Sequence, residues 1–258
     1  GLAARKSGVP AISHQKHFEY PEKLSRLAFK RTCFSHHIAT SDFVGAHMRE
    51  FGLAANKCTR IYEPVVGPSE DQLANRSEHQ IPTVAMHSML VHWKGQHIFL
   101  PAIAKVRQRC SMPFRCVIAG GPPANDQEYA DELKMLAAKL NLQDFVEFRG
   151  HVRNVYDFLA EVDIAVHAAI EPEPFGRVAA EAMLAGLPNV VTMQGGPAEY
   201  VKNGVTGLHV PRGDVDALAD AIETLIKSPE LRQQMGQAAR KYALAEFSPT
   251  ELANQTTQ

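Results

Sequence analysis

Shortages narrow this 258-residue sequence before any motif does. It has only 4 Cys, at positions 33, 58, 110 and 116, with no CxxC pair and no zinc spacing. That argues against a disulfide framework or a Cys-rich metal site and fits a reducing compartment, taken here as the cytoplasm. Net charge is nearly absent: 27 Lys plus Arg stand against 28 Asp plus Glu, and no basic stripe offers nucleic acid a path. No apolar run approaches the roughly 18 residues that span a bilayer, and the first residues show no charged-then-apolar pattern. What is present is a hydrophobic fraction of 45%, enough for a sizeable core, in a length that suits one large domain or one domain and part of another. Small-molecule chemistry is the class left standing.

From Thr83 onward, short apolar runs alternate with segments of helical period. TVAMHSML, FRCVIAGG, FVEFRG, IAVHAAI, NVVTM and TGLHV read as strands, with helices expected at 97–108, 128–140, 155–161, 175–184 and 198–201. Two more helices, 215–226 and 229–244, are opened by the cap-like Asp214 and by Pro229. Repeated β-α needs crossover connections, so the predicted fold is α/β: a parallel, Rossmann-like sheet with helices on both faces. In the first 65 residues, 23–34 and 42–51 read as helices around one strand, HHIAT, too little for a core of their own. The polar stretch 64–80 reads as a linker. The expected domains are therefore 1–65 as a remnant, 66–80 as linker, 81–247 as the Rossmann-like domain and 248–258 as a tail. Because the chain opens with Gly1 and reaches the strand-like VPAIS at 9–13, an N-terminal truncation is expected, with an apolar surface bared between 9 and 51.

The sharpest local signal is EPFGRVAAEAMLAG, where Glu173 and Glu181 lie on either side of a helix start. At 1.5 Å rise per residue, Glu181 sits about 7 Å along that helix while Glu173 stays in the preceding loop. The amides of Phe175, Gly176 and Arg177 fall at the helix N-terminus, where donors lack intrahelical partners and favour phosphate or sugar oxygens. Taken alone, two such acids are more often solvated, and Gly-Gly turns more often mark tight geometry. Three turns on one sheet edge weigh against that: this one, QGGPAEYV at 194–201 and AGGPP at 119–123. Lys94-Gly95 opens the helix after the first strand, where a lysine can reach a diphosphate. Other features read as structural. Asp214-Val215-Asp216 imitates a DxD metal motif but opens an amphipathic helix, Trp93 reads as packing, and no HxxxH encloses an acid, so no metal site is expected.

The succession strand, KG, helix, strand, GG, FRGHV, EPFGxxxxEAMxxGxP, GGPAE, NGVTGLHVP and GD resembles the retaining family 4 glycosyltransferases of the GT-B fold. The resemblance runs from about Ile81 to Phe247, and HHIATSDFVGAHMREFGL followed by IYEPV is similar to the end of that family's N-terminal domain. It implies transfer of a hexose from a nucleotide diphosphate sugar to an acceptor alcohol with retention, without cofactor or essential metal. Glu173 would be the catalytic-site carboxylate and take the donor-sugar hydroxyls, without acting as nucleophile; Glu181 would take the ribose hydroxyls. The amides of Phe175, Gly176, Arg177 and Val178 would lie along the diphosphate, Lys94 would bind it, and the turn at Val152 would pack on the base. His14 or His17 would fall where the family often has a sugar-facing histidine.

The resemblance leaves the acceptor unnamed, implies no nucleic-acid partner, and leaves room for peripheral membrane contact through the missing N-terminal domain. One departure is Ser88-Met89 in place of the family's Gly-Arg, so half of a diphosphate clamp is missing, with Arg149, Arg177, His87 or His92 as candidates to replace it. A degenerate, non-catalytic nucleotide-sugar-binding module and a GT-B-fold epimerase or phosphorylase are the alternatives.

Overall fold

The computed structural model of the chain describes residues 12–16, 34–74, 79–124, 126–250 and 252–253. Residues 23–33 of the helix expected at 23–34, residues 9–11 of VPAIS, and His17 lie outside them. The first unit is a parallel three-stranded sheet, β1 (Ile12–Gln15), β2 (His36–Ala39) and β3 (Cys58–Arg60), in that order. Helix α1 (Asp42–Glu50) follows β2 and is capped by Ser41, whose Oγ accepts from the Val44 amide at 3.1 Å. Its apolar face, Val44 and Met48, closes on Ala39 and Leu53. Of the apolar surface expected between 9 and 51, Ile12 is the large hydrophobic exposed among the described residues. The polar stretch read as a linker contains a short helix, α2 (Glu70–Ala74).

The second unit is a parallel six-stranded sheet: β4 (Thr83–His87), β5 (Arg115–Ala119), β6 (Val146–Gly150), β7 (Ile164–His167), β8 (Asn189–Thr192) and β9 (Gly207–Val210). The helices are α3 (Gln96–Arg109), α4 (Glu128–Lys139), α5 (Val155–Leu159), α6 (Arg177–Leu184), α7 (Gly196–Tyr200), α8 (Val215–Lys227) and α9 (Pro229–Glu246). The alternation of the strands sorts the two faces. Val84, Met86, Ile118, Ile164 and Val190 face one core with Phe99, Ile103, Leu218 and Ile222 of α3 and α8. Ala85, Val117 and Ala165 face the other, with Phe158, Leu159 and Ala182 of α5 and α6. Each fully buried Leu, Ile or Phe contributes about 1.5–3 kcal/mol.

Helix α3 begins at Gln96, one residue before the expected 97, and holds Pro101 as its sixth residue rather than in the free first turn. The bond that its missing N–H would have made to the His97 carbonyl is lost inside the helix. Packing offsets this, since Phe99, Leu100, Ala102 and Ile103 are all fully buried.

A third cluster ties the two sheets together. Tyr62, just past β3, meets Phe175, Tyr200 and Phe247 with ring centroids 6.0, 5.8 and 5.5 Å away. Beyond α9, Leu252 packs on Ile38 and Ile61, so the C-terminal segment returns to the first unit. Glu199 of α7 accepts from the amides of Asp42 and Phe43 at 2.8 and 2.5 Å, which adds an acid to the start of α1 from across the molecule.

Candidate functional site

The strand order of the large sheet is β6-β5-β4-β7-β8-β9. From β4 the chain moves outward through β5 and β6, then returns to β7 on the other side of β4. Connections that leave adjacent strands in opposite directions open a crevice at their carboxyl ends, the usual ligand position in such sheets. Lys94, His167 and Glu173 converge there.

Backbone geometry places them. After β4 the chain makes a short turn over His92–Lys94 and reaches Gly95 at φ 81°. A Cβ on Gly95 would stand 2.0 Å from the Ala168 carbonyl oxygen, so only glycine lets the loop after β7 cross the start of α3. The crossing is fixed by the Ile170 amide donating to the Trp93 carbonyl at 2.8 Å. Lys94 is consequently pressed against the 168–176 loop and is only 8% exposed. Its Nζ donates to both carboxylate oxygens of Glu173 at 2.7 Å and lies 4.2 Å from the Trp93 ring centroid. On the other side of the carboxylate, His167 Nε2 is 2.5 Å from Glu173 Oε2. Burial alone would raise the Glu173 pKa, but His167 and Lys94 outweigh it and bring the carboxyl down to about 2. Glu181 is pushed the opposite way: burial raises its pKa against the pull of Arg177, whose Nη2 donates to Oε1 at 3.3 Å.

Helix starts complete the crevice. Helices α3, α6 and α7, which follow β4, β7 and β8, are opened by Gly95, Gly176 and Gly195, none of which supplies a side-chain cap; the His97 amide donates to the Tyr129 hydroxyl at 3.3 Å and the Gly196 amide to the Glu173 carbonyl at 2.8 Å. Their first-turn amides converge on the crevice, an arrangement that suits an anion. A Cβ on Gly176 would be 2.4 Å from Pro197 Cγ, so glycine brings the starts of α6 and α7 together. The Tyr200 hydroxyl, 3.0 and 2.7 Å from the carbonyl oxygens of Phe175 and Gly176, holds that approach.

The residues singled out from the sequence divide accordingly. Lys94 pairs with Glu173, which lies in the loop before α6, while Gly176 opens α6, Arg177 and Val178 begin it, and Glu181 lies within it, paired with Arg177. Phe175 contributes backbone, because its ring is in the aromatic cluster. Val152 is half-buried against the α5 side of the sheet, and His14 is exposed on β1. Of the candidates to replace the missing arginine, Arg149 is held by Glu147 and Glu161 at 2.7 and 2.8 Å, and Arg177 by Glu181. His87 is half-buried at the end of β4, and His92 stacks on His97 with centroids 4.2 Å apart. Asp214 accepts from the Ala217 amide at 2.9 Å, the capping role read from the sequence. The residue that sequence reasoning missed is His167. Its signal was a polar side chain ending an otherwise apolar strand, IAVH. Among the described residues, no group of three His, Cys, Asp or Glu is placed to hold a metal, and no helix is long and apolar enough to cross a membrane.

Comparison with known proteins agrees with this geometry. The chain is 32% identical over 180 residues to a GDP-mannose-dependent alpha-(1-6)-phosphatidylinositol monomannoside mannosyltransferase of Mycobacterium tuberculosis, covering 67% of this chain and 45% of that protein. It is 33% identical over 172 residues to a D-inositol 3-phosphate glycosyltransferase of Kribbella flavida, covering 64% and 39%. The chain thus spans less than half the length of these relatives. Among solved structures, Anabaena Alr3699/HepE in complex with UDP superposes with a TM-score of 0.89 at 26% identity, over 99% of this chain and 73% of that one. The family model described as glycosyl transferases group 1 matches residues 70–242, more than half of the chain and all of the crevice. The strands, glycine turns and paired carboxylates that build the site are thus those of a known family: this chain belongs to the group 1 glycosyl transferases.

Proposed function

We propose that the intact protein transfers a hexose from a nucleoside diphosphate sugar to an acceptor alcohol, with retention at the anomeric carbon. The observation that carries this reading is the Lys94–Glu173 pair lying among the open starts of α3, α6 and α7. A diphosphate supplies the anion those amides and Lys94 would hold, and the sugar hydroxyls attached to it would reach Glu173. Glu181 takes the ribose hydroxyls, the amides of Phe175 to Val178 follow the diphosphate, and Val152 borders the base. In the transfer, the acceptor oxygen bonds to the anomeric carbon as the bond from that carbon to the phosphate oxygen breaks. The electron pair stays on the nucleoside diphosphate, which also receives the acceptor proton.

Preorganised donors aimed at that developing charge speed such a step, each contributing on the order of 3 kcal/mol. We assign this role to Lys94 and the amide ends, with no metal required, so a chelator leaves transfer unchanged. The HepE complexes with UDP and with UDP-glucose support the donor class. The free thiols of Cys58, Cys110 and Cys116 support a cytoplasmic setting. Because the chain spans less than half of its curated relatives, transfer is expected of the full-length protein, where a second domain closes over the donor.

Titration calorimetry with UDP-, GDP- and ADP-sugars and the matching free diphosphates tests the roles. Glu181→Gln should weaken free diphosphate and sugar nucleotide alike, through the lost ribose contact. Glu173→Gln should spare the free diphosphate, since Lys94 is then released to it, and weaken only the sugar-bearing form. Equal losses for both ligands in both variants would contradict the assignment. The specific observation favouring a binding module without transfer is Met89, and binding by a full-length protein that transfers to no acceptor would establish that alternative.

A further inference from the structure

Parallel strands covered on both faces are expected to be apolar throughout, yet three strands of this sheet bring a polar side chain to one cavity on the same face. His87 ends β4, His167 ends β7, and Asn189, which begins β8, pairs in register with Ala165, two residues before His167. All three line one cavity of about 10 Å³, otherwise walled by Phe158, Leu159 and Val162 from the α5 side and by Val178, Ala179 and Ala182 of α6. Each brings a buried atom with no hydrogen-bond partner among the described residues: His87 Nδ1, His167 Nδ1 and Asn189 Oδ1. A cavity of about 10 Å³ is the size of one water molecule, and a water there is the partner we infer for these three atoms. Such a water would donate to His167 Nδ1 and Asn189 Oδ1 and accept from His87 with Nδ1 protonated. Asn189 is itself oriented by its Nδ2 donating to the Leu187 carbonyl at 3.2 Å. This leaves the His167 proton on Nε2, aimed at Glu173 Oε2, 2.5 Å away.

Resting on the donor reading above, we propose that His167 is a positioning residue: backed by Asn189 and His87 through that water, it keeps Glu173 ionised and aimed at the donor sugar when Lys94 turns to the diphosphate. Lys94 cannot serve both partners. In the chain as it stands, its Nζ spans both oxygens of Glu173. A bound diphosphate draws that ammonium away and would strand a carboxylate that is only 13% exposed. His167 is the second donor, and it reaches Glu173 from the strand end, on the side away from α3. The groups that bear on the carboxylate are therefore Lys94 and His167 in contact, with the Tyr200 hydroxyl acting at longer range.

Two variants and two readouts test this. Leucine suits a buried strand, so His167→Leu should fold, and His167→Gln keeps an Nε2 donor at nearly the same reach. Carboxyl-carbon NMR on the 258-residue chain follows Glu173 directly. It should titrate below the ordinary glutamate range in the wild type and at least one pH unit higher in His167→Leu. Calorimetry with UDP and UDP-glucose, and with GDP and GDP-mannose, should show His167→Leu losing at least tenfold for the sugar nucleotide and less than threefold for the free diphosphate. His167→Gln should recover the sugar nucleotide to within threefold. An unchanged Glu173 titration in His167→Leu, equal losses for both ligand classes, or no rescue by glutamine would each overturn the proposal. If the wild type binds none of the four nucleotides, the donor reading has failed by itself, and the Glu173 titration still decides the role of His167.

Discussion

Five of the six helix starts along the carboxyl edge of the large sheet divide into two kinds, α4 after β5 being opened by Gln127 without a side-chain cap. Beside the outer strands β6 and β9, α5 is opened by Asn154, which accepts from the amides of Tyr156 and Asp157, and α8 by Asp214, which accepts from Ala217. Beside the central strands β4, β7 and β8, glycines open α3, α6 and α7 and no side-chain cap is present. A side-chain cap contributes about 1 kcal/mol, so the centre of the edge forgoes stability that its flanks collect. The opposite edge sharpens the contrast. A hollow of about 680 Å³ there is lined by His79, Asp163, Arg232 and Arg240. Its charges are spent internally: His79 lies 3.1 Å from Asp163, Arg232 donates to the carbonyls of Leu225 and Ile226, and Arg240 to that of Leu184. The crevice differs in that its ion pair, Lys94–Glu173, stands beside helix starts opened by glycine, whereas the charges of the larger space are held by neighbouring side chains and carbonyls.

The contrast breaks most visibly at the glycines. Gly95→Ala combines a left-handed φ with a Cβ 2.0 Å from the Ala168 oxygen, whereas Gly213, before the capped α8, has φ 72° and nothing within 4 Å of where a Cβ would stand. The first should lose about 3 kcal/mol of stability and its nucleotide binding, the second about 1 kcal/mol and no binding. Denaturant melts with calorimetry on both variants check this, and equal losses would mean that the crossing at Gly95 has no special role. Lys94→Ala comes next. It removes the ammonium that spans both oxygens of Glu173 and leaves the His167 contact in place, and nucleoside diphosphate affinity should fall at least tenfold, the scale of a lost charge-assisted hydrogen bond. Retained affinity would move the diphosphate away from α3.

What could be read in the sequence was local. The spacing of Glu173 and Glu181, the glycine turns and the β-α alternation all depend on neighbours a few positions apart, and those elements lie where the alternation placed them. What escaped reading was set by distant partners. Lys94 meets Glu173 across 79 positions, and Glu199 meets the start of α1 across 157. Strand β3, Cys-Thr-Arg, is short and polar, and pairs only because β2 offers it a register. His167 looked like a flaw in an apolar strand until the fold brought Glu173, His87 and Asn189 around it.

Met89 offers a gain rather than a loss. It is 55% exposed at the carboxyl edge, and its carbonyl oxygen accepts from Gln96 Nε2 at 2.9 Å, so its backbone is fixed while its side chain is free to be replaced. With Arg149 and Arg177 already paired, Met89→Arg should add a cation to the open helix starts and tighten nucleoside diphosphate binding by about 1 kcal/mol, roughly fivefold. No gain by calorimetry would place this side chain off the ligand path.

The smallest effect separates the two carboxylates without any ligand. Burial raises the Glu181 pKa, so the folded state holds that proton more tightly than the unfolded chain does. Stability from this group is then full below the unfolded value of about 4.3 and is lost as pH rises through the folded value. At neutral pH the ionised Glu181 is a burden that the ligand-free fold carries for the ribose. Glu181→Gln should therefore raise Tm slightly at pH 7, by about 2 °C or less, and show no gain near pH 4, where the wild-type carboxyl is already protonated. Glu173 has the opposite sign: its depressed pKa means that stability is present at neutral pH and lost on acidification toward 2, so Glu173→Gln should lower Tm at pH 7. Thermal melts of both variants at the two pH values check the pair, and a shift of the same sign in both at pH 7 would remove the distinction between an acid held by cations and one held by burial.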